Sequence, residues 1–330
     1  MVPEIDHHPQ ETVSRIVLQG IPWDVNSSFL RGTAQAPDHI REALHSASTN
    51  TFSESGLDLK DHPLIEDRGN LPLSGENEAM ALIERQVAGI LSEGRRPLLL
   101  GGDHALTYPA LQAMGAHYTG LTVLHFDAHP DLYDELDGNH FSHACPFARA
   151  MESGRVARLI QVGIRSTTRH QREQAQRFGV EVHEMRHRPW RLPMSFVGPL
   201  YISLDMDVLD PAFAPGVSHF EPGGLTVREL IDILQGLKGP VVGADIVEFN
   251  PWQDASGRTA MVAAGAVGAA IAPNASASMT AGTPARCPGS TSSIARKTTR
   301  AAPSDSPRVE PRIIRPVRRS CATVMEPPMR

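Results

Sequence analysis

Six short runs of β-forming residues, each ending near a glycine or an aspartate, constrain this chain more than any other feature. They are RIVLQG from Arg15, RPLLLGGD from Arg96, LTVLHFD from Leu121, RLIQVGIR from Arg158, LYISLD from Leu200 and PVVGADIV from Pro240. Each is almost continuously apolar, the pattern of a strand covered on both faces. Helical patterns stand between them. From Gly75 to Gly94, Ala79, Leu82, Ile83 and Val87 form one apolar stripe. LTVRELIDILQGL begins with Thr226 as an N-cap and Glu229 three residues later, the signature of a capping box. Strands alternating with helices over about 240 residues predict a three-layer α/β/α fold with a mainly parallel central sheet. Asn50 to Ser74 reads as a polar connection, long for an ordinary loop.

In open α/β sheets ligands bind beyond the carboxyl ends of the strands. Three strand ends here carry hard metal ligands: GGDH ending at His104, DAHPD from Asp127 to Asp131, and DMD from Asp205 to Asp207. In extended backbone, Asp127, His129 and Asp131 would share a face, as would Asp205 and Asp207. With His104 these make four carboxylates and two imidazoles. Such a set, lacking thiolate, favours a hard divalent ion such as Mn²⁺ over Zn²⁺, Co²⁺ or Fe²⁺. Four converging carboxylates repel one another unless neutralised, and two divalent cations supply the matching charge. A metal pair roughly 3.5–4 Å apart acidifies a bridging water, which points to a hydrolase. Taken singly, an aspartate at a strand end is an ordinary turn or cap residue, and His125 reads as structural. Three such elements together, with no phosphate loop or dinucleotide fingerprint in the chain, favour the metal site.

These segments resemble the ureohydrolase family of arginases and agmatinases, most closely its plant-type group. The resemblance runs from about Arg15 to Ala264 through GGDHALTYPAL, HFDAHPDLYDELDGN, SHACPFARAMESG, LDMDVLDPAFAPGVSHFEPGGLT and ADIVEFNP followed by TAMVAA. It implies an arginase-like fold and two Mn²⁺ per subunit. His104, Asp127, Asp131 and Asp205 would hold one ion and His129, Asp127, Asp205 and Asp207 the other. It further implies that Glu248 pairs with the substrate guanidinium, that His143 rather than His140 shuttles protons, and that Asp131 passes a proton to the departing amine. Tyr133 and Asn139 are candidate substrate contacts, and His219 reads as a loop hydrogen-bonding residue. The partner implied is a small cationic guanidino compound, and the assembly implied is a homotrimer or homohexamer. Where animal-type arginases carry an asparagine that binds the α-carboxylate, this chain has Tyr133 followed by Asp134, which looks like agmatinase. The expected reaction is therefore agmatine to putrescine and urea, a step of polyamine biosynthesis, with arginine to ornithine and urea, or hydrolysis of another guanidino compound, as the alternative. A mononuclear zinc deacetylase of related fold and a metal-binding homologue without activity are the competing readings.

Charge and composition divide the chain. Against 31 Lys+Arg stand 37 Asp+Glu, a net charge of −6 that disfavours a nucleic-acid partner. The last 60 residues carry +7 and the first 270 carry −13, and an acidic body suits a cationic substrate. The tail has no aromatic residue or histidine and holds nine of the 27 prolines. Where the family continues after TAMVAA with a charged helix of the kind KLVRELA, this chain runs AAGAVGAAIAPNASASM, with Gly265 and Gly268 disfavouring a helix. The reading is a leader over 1–14, a catalytic domain over 15–265 and a disordered basic tail over 266–330, whether divergent or frameshifted. The uncharged stretch from Thr259 to Ala285 is too rich in Ala and Gly for a membrane span. Three scattered cysteines and no secretory signal point to a reducing cytoplasm.

Overall fold

The computed structural model describes residues 15–279 apart from Thr49, Leu57, Asp61 and Ser74. Eight strands form one sheet: β1 (Ile16–Gly20), β2 (Ile65–Asn70), β3 (Arg96–Leu100), β4 (Thr122–Phe126), β5 (Arg158–Ile164), β6 (Glu181–Glu184), β7 (Leu200–Asp205) and β8 (Val241–Val247). Their order is β2-β1-β3-β8-β7-β4-β5-β6, and every pairing is parallel. The six apolar runs are the interior strands β1, β3, β4, β5, β7 and β8. The two edges, IEDRGN and EVHE, are polar and partly exposed, and β2 lies inside the stretch read as a long connection.

Helices cover both faces. One layer holds α1 (Ala36–Leu44), α6 (Val227–Gly236) and α7 (Arg258–Met279), which share a core with Leu98, Leu124, Ile202 and Ile246. The other holds α2 (Glu76–Ser92), α3 (Thr107–His117), α4 (Pro146–Glu152) and α5 (Arg169–Phe178), packed over Leu99, Val123, Leu159 and Tyr201. The alternating membership of neighbouring strand residues in the two cores is the period-two alternation of a sheet buried on both sides. The expected α2 stripe is buried through Ala79, Ile83 and Val87, and Thr226 and Glu229 form both arms of the capping box.

The boundary expected at residue 265 falls inside α7, which continues through Pro273 to Met279. Ala263, Ala264, Ala266, Val267, Ala269 and Ile271 are buried, so packing outweighs the glycine penalty. A Cβ at Gly268 would come within 3.1 Å of Leu59 Cδ1, so this glycine permits close approach, whereas Gly265 faces open space. The disordered-tail reading is thus corrected over 266–279. The leader 1–14 and residues 280–330 lie outside the described residues. Among the described residues, no helix is long and apolar enough to cross a membrane.

Candidate metal centre

β3, β8, β7 and β4 are the four central strands, and their carboxyl ends supply His104, Glu248, the Asp205–Asp207 pair and the Asp127–Asp131 segment. Because β3 and β4 follow each other in sequence but stand apart in the sheet, a crevice opens there, and β7 and β8 fill its floor. The ligands converge, though not by alternation along strands. β4 ends at Phe126, and Asp131 stands in a turn at φ 50°. Asp205 closes β7 and caps a single 3₁₀ turn, Met206–Val208, that carries Asp207. Tight turns beyond the strand ends, not extended backbone, aim these carboxylates.

His104 Nδ1 lies 3.3 Å from Asp127 Oδ2, 3.0 Å from Asp131 Oδ2 and 3.3 Å from Asp205 Oδ2. Its Nε2 lies 3.0 Å from Ser203 Oγ, whose own proton is committed to Asp245 Oδ1 at 2.7 Å. The ring proton therefore belongs on Nε2, and Nδ1 is left as a buried lone pair without a hydrogen-bond partner. Asp245 is anchored by Thr107 Oγ1 and Tyr201 OH as well. His129 repeats the arrangement. Its Nδ1 lies 3.4 Å from Asp127 Oδ1 and 3.0 Å from Asp207 Oδ2, and its Nε2 lies 3.3 Å from Glu221 Oε1.

Two imidazole lone pairs facing carboxylate oxygens call for cations between them. Asp127, Asp131, Asp205 and Asp207 are all buried, and their ion pairs among the described residues are to histidine only. Burial alone would lower both imidazoles, yet the surrounding carboxylates raise His104 and His129 well above the usual range. Burial and the neighbouring carboxylates hold Asp205 and Asp207 up. The site attracts positive charge, and the donor set fits two divalent ions. Asp127 with His129 and Asp207, and with His104 and His125, groups within metal-ligating reach. His125 is better placed as a donor than as a ligand: Gln161 Nε2 sits 3.1 Å from its Nδ1, which leaves a proton on Nε2 for Asp127 Oδ2 at 2.8 Å.

Beside the ligands, Glu248 stands at φ 62°, a backbone conformation uncommon for a non-glycine residue. Its Oε1 takes the His104 backbone N–H at 2.9 Å and His143 Nδ1 at 2.8 Å, and Oε2 takes neither. Burial would lower His143, but the Glu248 carboxylate outweighs it and pushes the imidazole up to about 9. His140 is exposed and turned to Glu135 and the Asp134 carbonyl. A cleft of about 280 Å³ opens here, lined by His129, Asp131, Asp205, Asp207, His143 and Glu248 and also by Tyr133, Ser166, Thr167, Thr168 and Gln171. Asn139 does not line it. Its carboxamide spans Asn26 and the Phe141 N–H, which makes it a turn residue. His219, read as a loop residue, does line the cleft, with its ring 5.5 Å from that of His143 and 5.7 Å from that of His129.

Glu221 lies inside the matching segment SHFEPGG, but nothing in its spacing marks it as a partner of His129. Arg165 fixes its loop, donating to the carbonyls of Glu221 at 2.6 Å and Asp207 at 2.5 Å. Replacing Glu221 with Gln is expected to weaken metal binding roughly 10- to 100-fold, because an outer carboxylate sets the orientation and basicity of the ligating ring. Competition with a metal indicator dye measures this, and unchanged affinity would remove Glu221 from the site.

The chain matches the model of the arginase family over residues 14–272. It is 48% identical over 264 residues to Arginase 1, mitochondrial, of Arabidopsis thaliana, an alignment spanning 75% of this chain and 77% of that one. It is 34% identical over 271 residues to an agmatinase of Bacillus anthracis, spanning 78% of this chain and 91% of that one. The solved arginase from Medicago truncatula superposes with a TM-score of 0.75 at 43% identity, covering 79% of this chain and 87% of that one. The agmatine ureohydrolase of Thermoplasma volcanium gives 0.70 at 31%, covering 82% and 92%. An all-parallel sheet in this order, a cation-seeking cluster of His and Asp at its central strand ends, and relatives of this closeness place the chain in the arginase family.

Proposed function

We propose that the chain hydrolyses L-arginine to L-ornithine and urea with two Mn²⁺ ions, one held by His104, Asp127, Asp131 and Asp205 and the other by His129, Asp127, Asp205 and Asp207. The observation that carries this reading is the pair of Nδ1 lone pairs, on His104 and His129, turned onto buried carboxylates beside Glu248. When bound, a divalent pair acidifies water and so supplies the nucleophile that a weakly electrophilic guanidinium requires.

The protein's own groups do the positioning. Glu248 pairs with the guanidinium, and its uncommitted Oε2 leaves room for a contact that fixes the planar group over the ligands. His143, charged near neutral pH against Glu248, holds and moves a proton at the cleft wall. Asp131 stands where a carboxyl can hand a proton to the departing amine.

Tyr133 and Asp134, which look like agmatinase, do not outweigh the relatives and the cleft lining, which favour arginine over agmatine. The relatives at 45–48% identity are named arginases, and the agmatinases of two Bacillus species stand at 33–34%. Asp134 is paired with Arg149 at 2.7 Å and is absent from the cleft wall, where Tyr133 stacks on His170. Away from the ligands, Glu248 and His143, the cleft lining includes the neutral hydroxyls of Ser166, Thr167 and Thr168 and the amide of Gln171. Thr168 caps the N-terminus of α5 there. A zwitterionic α-amino acid head suits such a wall and helix end better than a second free cation does. Urea release from arginine, agmatine and guanidino acids, each with Mn²⁺, tests this. Arginine is expected to lead in kcat/KM by at least about 10-fold, and a lead for agmatine would overturn the substrate assignment.

A further inference from the structure

His143 is held from a side that none of the sequence motifs includes. The segment between β1 and α1, residues 21–32, crosses the site as a strap. Its Ser28 places Oγ 2.8 Å and its backbone N–H 3.2 Å from His143 Nε2. Asn26 accepts the His143 backbone N–H at 3.1 Å. The strap is tied along its length. The Asp103 carboxylate accepts from Asn26 N at 2.8 Å, and Asp103 N donates to the Trp23 carbonyl at 2.8 Å. Asp24 Oδ2 accepts from Gly32 N at 2.8 Å, Ser218 Oγ donates to the Leu30 carbonyl, and Asn250 Nδ2 donates to the Arg31 carbonyl. Any side chain at Gly102 would strike it, since a Cβ there falls 1.7 Å from the Trp23 carbonyl oxygen.

The two contacts from Ser28 serve different protonation states. A backbone N–H only donates, so it fits a neutral ring whose Nε2 is bare and whose proton sits on Nδ1 toward Glu248. The charged ring carries a proton on Nε2 as well, and only the hydroxyl can turn to accept it. Ser28 is itself exposed and lines the cleft.

We propose that Ser28 is a positioning residue for His143, fixing the ring with Nδ1 on Glu248 and joining Nε2 to solvent through its hydroxyl. In the transfer, the Nε2–H bond breaks as a new O–H bond forms on Ser28 Oγ, and the proton that Ser28 held passes to water. No oxidation is involved, and the ring is left neutral. This inference rests on the hydrolase reading above.

The test uses the full metal-loaded chain as wild type, Ser28→Ala and Ser28→Thr, with the best guanidino substrate of the panel. Ser28→Ala is expected to lose roughly 10- to 100-fold in kcat, at the low end of what a proton-transfer group contributes. Its KM and metal content stay unchanged, and added imidazole restores the rate. Ser28→Thr, which keeps the hydroxyl, stays close to wild type. An Ala variant with unchanged kcat, or one whose loss follows metal content and resists imidazole, overturns the proposal. The ring can also be followed without turnover. In ¹⁵N spectra, neutral His143 is expected as the Nδ1–H form in wild type and as a mixture in Ser28→Ala, and an unchanged tautomer ratio overturns the proposal. Absence of urea from every substrate with wild type overturns the hydrolase reading instead.

Discussion

Chelation is expected to abolish urea release and to lower the melting temperature by on the order of 10 °C. Asp127, Asp131, Asp205 and Asp207 meet in the buried site, where the compensating side chains are the imidazoles of His104, His125 and His129. A ligand present at about 1,000 times its dissociation constant adds about 4 kcal/mol to folding stability. In a chain of this size each kcal/mol moves the midpoint by roughly 2–4 °C. Scanning calorimetry with and without chelator measures the shift, and Mn²⁺ added back should restore both properties. A midpoint that ignores the chelator would mean that the cluster stands as hydrogen-bonded pairs and binds no ion.

Asp205→Asn is expected to lower kcat by about 10³-fold or more, since removing part of a metal pair forfeits several kcal/mol of transition-state stabilisation. The exchange preserves volume, and the amide oxygen can still accept the Asp207 N–H that Oδ1 takes at 2.8 Å. It removes the charge that faces His104 Nδ1 at 3.3 Å. Activity should therefore collapse while the fold persists, with bound metal falling from about two ions per chain toward one. Full activity in a variant with reduced metal content would refute a shared role for Asp205.

The interior of the fold was legible because burial on both faces writes itself as continuous apolar runs. The edges were not, because β2 and β6 carry their polar residues where no second layer covers them. The six candidate ligands could be read because each lies next to an apolar run, but what aims them could not, since a 3₁₀ turn and a positive φ leave no periodicity in the sequence. Ser28 and Glu221 were illegible for a different reason. Each acquires its role from a contact across about a hundred residues, with His143 and His129 respectively; Ser28 stands in no motif, and Glu221, although inside the segment SHFEPGG, has no spacing to the ligands that marks it. The pairing of Asp134 with Arg149 was illegible too, since it is visible only once α4 is in place.

The strand order also dictates when this site can come into being. β3 and β4 are complete by residue 126, yet β7 and β8, which separate them, end only at 205 and 247. In synthesis, the segments that carry His104 and Asp127–Asp131 therefore precede both of the strands that stand between them in the finished sheet. Such non-local pairings are slow to close. β7 and β8 also bring Asp205, Asp207 and Glu248, so neither the ligand set nor the hydrophobic core is complete until both strands are in place.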